Sequence, residues 1–190
     1  MQLNTRAVRR SLAAVAMTGT ALLIPAIALA APGKPAVPAT AAPPHCLTSA
    51  LTAWLGVPGN GYAGGAGYQL ELSNISHQAC TLYGYPGVSA LAGGGRQLGT
   101  AAARDNSDPV RLVTLSPGAT AHVELRITNV GNYPPSACHP ANAVMLRVYP
   151  PNDYTAIKIP FSFRACAAPG PTFLHVTTTL NGTGIPGFSS

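Results

Sequence analysis

Four cysteines, Cys46, Cys80, Cys138 and Cys166, constrain this chain more than any other feature. All four follow a stretch that reads as an export signal, so they are expected to reach an oxidising compartment and pair as disulfides. Four cysteines allow three pairings, and spacing alone does not choose among them. The favoured arrangement joins Cys46 to Cys80 and Cys138 to Cys166, because each bridge then ties neighbouring elements within one half of the chain. Loops of that length contribute about 3–4 kcal/mol each when loop-closure entropy is removed from the unfolded chain.

The export reading rests on three consecutive parts. Arg6, Arg9 and Arg10 form a positive start, Ser11 to Ile24 is an uncharged apolar run, and Ala28-Leu29-Ala30 places small residues where a signal peptidase reads. Residues 1–30 are therefore expected to be a cleaved signal peptide, and the protein to be secreted. The apolar run is short of the roughly 20 residues a stable span requires, and Pro25 interrupts it. Arg9-Arg10-Ser11-Leu12 only faintly matches a twin-arginine signal, and ordinary unfolded export is the expectation. Residues 31–44 are almost wholly alanine and proline, a composition that gives a semi-rigid or disordered spacer. The folded domain is expected over residues 45–190.

Charged residues make up 8% of the chain, against about 25% in ordinary globular proteins, so this low-charge, apolar sequence is not disordered by composition. The formal charge of +6 overstates the basicity of the mature protein, because three arginines leave with the leader. The remaining basic residues are scattered singly, which excludes a clustered nucleic-acid-binding face.

Period-two alternation is the recurring local signal. Ala121, Val123, Leu125 and Ile127 alternate with His122, Glu124 and Arg126, and Tyr68, Leu70 and Leu72 with Gln69, Glu71 and Ser73. Leu51, Ala53 and Leu55 begin a first strand, although residues 47–55 also suit a short helix. Further strands are expected over residues 80–83, 110–115, 144–149, 154–159, 161–164 and 173–178. Twenty glycines and 19 prolines supply the turns between them. Ser116-Pro117-Gly118 and Tyr85-Pro86-Gly87 each read as a type II turn with a positive φ at the glycine. Short alternating strands without amphipathic helices define an all-β fold, expected as a β-sandwich with a barrel as the alternative.

Residues that carry chemistry are few. The carboxylates are Glu71, Asp105, Asp108, Glu124 and Asp153, with Glu71 and Glu124 expected on solvated strand faces. His45-Cys46 and Cys138-His139 set imidazoles beside thiols, yet there is no Cys-x-x-Cys pair, and neighbours on an extended strand point to opposite faces. The run Arg104 to Pro109 lacks the glycine and distal glutamate of a calcium loop. No Gly-x-Ser-x-Gly elbow or phosphate loop occurs. Trp54 is expected in the core against a disulfide. Tyr62, Tyr83, Tyr85, Tyr133, Tyr149 and Tyr154 remain as candidates for a binding surface. No catalytic residue, cofactor or metal site is expected.

The stretch from Gly64-Gly65-Ala66-Gly67-Tyr68 to Leu72-Ser73-Asn74-Ile75-Ser76, and the run Cys80-Thr81-Leu82-Tyr83-Gly84-Tyr85-Pro86-Gly87-Val88, carry a resemblance. With Val113-Thr114-Leu115-Ser116-Pro117-Gly118 and the Cys138 and Cys166 positions, they resemble the secreted actinobacterial domains catalogued as domain of unknown function 4232. The resemblance implies an exported or lipid-anchored protein with an immunoglobulin-like β-sandwich, and brings no activity, cofactor or catalytic residue. No anchoring cysteine stands at the cleavage site, so the chain reads as a released form. A non-catalytic module at the cell envelope is therefore the expected function, with an envelope component or another protein as its partner. An extracellular hydrolase whose site assembles only on folding is the alternative. Non-reducing peptide mapping of the secreted protein is expected to recover Cys46–Cys80 and Cys138–Cys166 peptides; a linked Cys46–Cys138 peptide would reject this pairing.

Overall fold

The computed structural model describes residues 41–184, and side chains are described throughout that range except at residues 57–60. The expected signal peptide and all but the last residues of the expected spacer lie outside it. The described chain begins to join the fold at Pro44, whose carbonyl accepts a hydrogen bond from the Thr81 amide at 2.8 Å.

A short 3-10 turn at Thr48–Ala50 leads into twelve strands among the described residues. They are β1 (Leu51–Tyr62), β2 (Gly65–Asn74), β3 (Cys80–Tyr83), β4 (Gly87–Leu91), β5 (Gln97–Leu98) and β6 (Ala103–Arg104). Then come β7 (Leu112–Leu115), β8 (Thr120–Thr128), β9 (Pro140–Tyr149), β10 (Ile157–Cys166), β11 (Leu174–Val176) and β12 (Leu180–Asn181). A four-residue helix, α1 (Pro135–Cys138), precedes β9. The larger sheet runs β1-β2-β8-β11-β6, with β12 continuing along β8, and the second runs β10-β9-β4-β5. A two-stranded sheet pairs β3 with β7.

Alternation along these strands builds the core. Leu70 and Leu72 of β2 and Val123 and Leu125 of β8 are fully buried, and they share one apolar cluster with Val88 and Ala90 of β4 and Leu146 and Val148 of β9. The two sheets thus pack face to face as a β-sandwich. Leu82, Val113 and Leu115 of the small sheet join the same cluster. Cys46 is bonded to Cys80, and Cys138 to Cys166, so all four cysteines are in disulfides. The first bridge fastens the incoming chain to β3; the second fastens the end of α1 to the end of β10.

Several sequence expectations need correction. Residues 154–159 and 161–164 are not two strands: Ile157–Cys166 is one, running through Pro160 with an irregular register between Pro160 and Phe163. Proline lacks a ladder donor, and it is tolerated here because β10 is an edge strand. β4 was not apparent in the sequence because four of its five residues are buried, which erases the alternation. The positive φ near Tyr85-Pro86-Gly87 falls on Gly84, at 103°, and not on Gly87, whereas Gly118 has the expected positive φ of 79°. Cys138 and His139 do not sit on a strand either; Cys138 closes α1, and His139 caps it in the left-handed region at φ 47°.

Trp54 is not in the core. It is 37% exposed, and its Nε1 donates to Ser73 Oγ at 3.2 Å. Alternation explains this, because Trp54 pairs with Glu71 and so shares the face opposite Leu70 and Leu72. Glu71 departs in the other direction. It lies on the outward face of β2 but is fully buried, since the chain at Gly184 covers it.

Leu125→Ala is expected to destabilise the domain by about 2–5 kcal/mol, because its site lies between the sheets. Leu112→Ala, at an exposed position, is expected to change stability by less than about 0.5 kcal/mol. Paired urea-unfolding curves measure both, and equal losses would contradict this placement of the core.

Candidate interaction surface

The loop between β9 and β10 is held by a single carboxylate. Asp153 Oδ2 accepts from the Thr48 amide at 2.6 Å and from Thr48 Oγ1 at 2.7 Å, while Oδ1 accepts from the Thr155 amide at 2.9 Å. The Thr155 amide, followed by the Thr48 hydroxyl and amide, holds the Asp153 carboxyl at about 2, below the ordinary aspartate range. One residue earlier, Asn152 Nδ2 donates to the Tyr83 carbonyl at 3.0 Å. The loop is therefore fastened both to the turn after Cys46 and to the end of β3.

These anchors join segments that carry large exposed apolar side chains. Tyr154 is 95% exposed, Leu112 65%, Leu47 60% and Tyr83 53%. Tyr83 and Leu112 are cross-strand partners in the β3–β7 pair. Leu47 directly precedes Thr48, and Tyr154 directly follows Asp153. The Cys46–Cys80 bridge sits at the root of this arrangement, one residue before Leu47 and at the start of β3.

An open cleft of about 370 Å³ adjoins the same bridge, lined by Pro44, His45, Leu47, Ser76, His77 and Cys80 among others. The Nε2 of His45 is buried without a hydrogen-bond partner among the described residues. No group of three or more His, Cys, Asp or Glu side chains is placed to hold a metal ion among the described residues.

The tyrosines proposed from the sequence divide clearly. Tyr133 donates its hydroxyl to the Thr172 carbonyl at 2.8 Å, Tyr85 lies under the Arg104 guanidinium at 5.5 Å, and Tyr149 lies under that of Arg147 at 5.6 Å. Tyr62 Oη is 3.3 Å from Thr128 Oγ1. Tyr83 and Tyr154 alone among the six are more than half exposed. Leu47 and Leu112 were not singled out from the sequence. Leu112 lies at the start of an alternating run, and only pairing with Tyr83 shows which of its faces is solvated.

Of the carboxylates read from the sequence, Asp105 forms an ion pair with Arg126 from its loop after β6. Glu124 lies 3.9 Å from the Arg126 Nε. Neither is brought to the apolar surface, where Asp153 is the acidic group.

These features define a disulfide-tied β-sandwich that presents an anchored apolar surface at one bridge. The chain belongs to the family described as Domain of unknown function (DUF4232), which matches residues 46–180. No curated protein and no solved structure matches the chain. Two disulfides are the bonding state of oxidising, non-cytoplasmic surroundings. No helix among the described residues is long and apolar enough to cross a membrane.

Asp153→Asn is expected to raise the hydrogen-exchange rates of the Thr48 and Thr155 amides about tenfold or more at neutral pH, the loss appropriate to hydrogen bonds with a charged acceptor. In the unsubstituted protein the sign follows from the lowered carboxyl: the anchorage is complete above the ordinary aspartate value of 3.8 and is lost as pH falls toward about 2. Unchanged exchange in the variant would remove Asp153 as the anchor.

Proposed function

We propose that this protein is a secreted, immunoglobulin-like module without catalytic activity, which binds a protein or other component of the cell envelope through Leu47, Tyr83, Leu112 and Tyr154. The observation that carries the reading is the exposure of these four large apolar side chains on segments locked by a disulfide, an Asp153 hydrogen-bond cluster and strand pairing. Clustered apolar surface on a folded exported domain marks an interaction site, and tyrosine is among the residues enriched at such sites. Anchoring matters as much as exposure. A loop already held in place loses little entropy on association, so more of the contact energy appears as affinity.

The surface is open, without the enclosed constellation of acid, base and nucleophile that a hydrolase reading requires. One carboxyl–imidazole pair, Glu71 and His122, does face across β2 and β8, but Gly184 covers it.

The test uses the mature chain immobilised and exposed to envelope extract of the producing cell. A partner retained by the unsubstituted protein is expected to bind at least about tenfold more weakly to a Tyr83→Ser, Leu112→Ser, Tyr154→Ser variant of unchanged melting temperature. Equal retention by the variant would reject this surface. Turnover of an envelope polymer would place the protein among the hydrolases instead.

A further inference from the structure

The last described residues do not simply end the sheet. β12 pairs with the start of β8, Leu180 opposite His122 and Asn181 opposite Ala121. Gly182, at φ 79°, then turns the chain away from the strand, and residues 182–184 cross the outer face of β2 and β8. Two side chains seat it. The Gly184 amide donates to Glu71 Oε1 at 3.2 Å, and His122 Nδ1 lies 2.8 Å from the Gly182 carbonyl. A carbonyl only accepts, so His122 carries its hydrogen on Nδ1. Glu71 and His122 are register partners, which places this acceptor and this donor side by side beneath the crossing chain.

Only glycine fits position 184 without displacing its neighbours. A Cβ there would meet the Gln69 amide and would lie 2.8 Å from His122 Cδ2. The fit leaves a polar defect underneath. Glu71 is 0% exposed, and its Oε2 is buried without a partner, as is Gln69 Oε1. Glu71 Oε2 is thus an acceptor buried with no donor, beside an Oε1 that takes the Gly184 amide. A proton on Oε2 would remove the charge that this burial penalises.

We propose that Gly182–Gly184 is a pH-gated strap, seated on the outer face of the sheet while Glu71 is protonated and released when Glu71 ionises. Burial pushes the Glu71 carboxyl above its ordinary range, against the opposing pull of the Gly184 amide and the facing His122. A carboxyl raised in the seated state stabilises that state below its ordinary value, and the stabilisation is lost as pH rises through the raised one. The other titratable group in contact with the strap is His122, which the Glu71→Gln variant retains. His122 faces Glu71 from β8, with Glu124 diagonal to it, and Arg126 beyond is paired with Asp105. From β1 the facing residue is Trp54, and residues 180–184 contain no titratable side chain.

The test is amide hydrogen exchange by NMR on the mature chain, with each rate normalised to that of an unstructured peptide at the same pH. Protection of the Gly184 amide is expected to fall as pH rises from the ordinary glutamate value through the raised one, about tenfold for each unit that separates the two, and to level off above it. In Glu71→Gln, which is neutral throughout, protection is expected to stay flat. A flat profile in the unsubstituted protein, or the same slope in the variant, overturns the proposal. Should Glu71→Gln fail to fold, a chain ending at Asn181 supplies the second reading. Its Glu71 carboxyl, followed by carbon-13 shift, is expected to titrate near the ordinary glutamate value of about 4.3. A midpoint as high as in the full chain overturns the strap as the cause.

Discussion

The antiparallel pairing of β2 with β8 is the constraint on which the rest of this structure depends. Nine consecutive residue pairs, from Gly65 opposite Thr128 to Ser73 opposite Thr120, fix which face of each strand looks inward. A slip of one residue would carry Leu70, Leu72, Val123 and Leu125 to the outside and bring Glu71 and His122 into the apolar layer. The core between the two sheets and the polar pair on the outer face are therefore consequences of one register. Neither can be moved without the other.

The two disulfides act on a different level. They do not create the sandwich, whose buried cluster spans both sheets, but they fasten its irregular parts. Cys46–Cys80 pins the incoming chain to β3, so that Leu47 and Tyr83 are presented from a fixed base. Cys138–Cys166 closes the excursion through α1 onto the end of β10. In a domain this rich in glycine and proline, covalent ties reduce the entropy of the unfolded chain where regular pairing is sparse. The exposed apolar surface then rests on covalent and hydrogen-bonded anchors, and its loop is held in place before any partner arrives.

The outer face of the larger sheet shows how a polar strand face can be buried without losing its chemistry. Three of the five carboxylates of the chain, Glu71, Asp105 and Glu124, serve this region. Asp105 and Glu124 are matched by Arg126, while Glu71 is covered by backbone and left with one oxygen unpartnered. Burying an unpaired carboxylate is costly, so its proton and the chain that covers it are coupled.

Much of this protein was legible in its sequence. Period-two alternation in β2 and β8 identified their inward residues, because that pattern is a direct print of the strand's pleat. The all-β class followed from the same print, and Ser116-Pro117-Gly118 marked a turn through the φ that only its glycine adopts readily. The cysteines pointed to disulfides, and the bridges found join the favoured pairs. What the tertiary structure alone decided is where each face ends up. Glu71 and Trp54 share an outward face, yet one is sealed by Gly184 and the other left partly open. Leu112 and Tyr83 acquire meaning as a pair only once β3 lies beside β7. Alternation tells which side of a strand a residue takes; what covers that side comes from residues distant in sequence, 29 positions for Tyr83 and Leu112 and 113 for Glu71 and Gly184, and no local pattern encodes them.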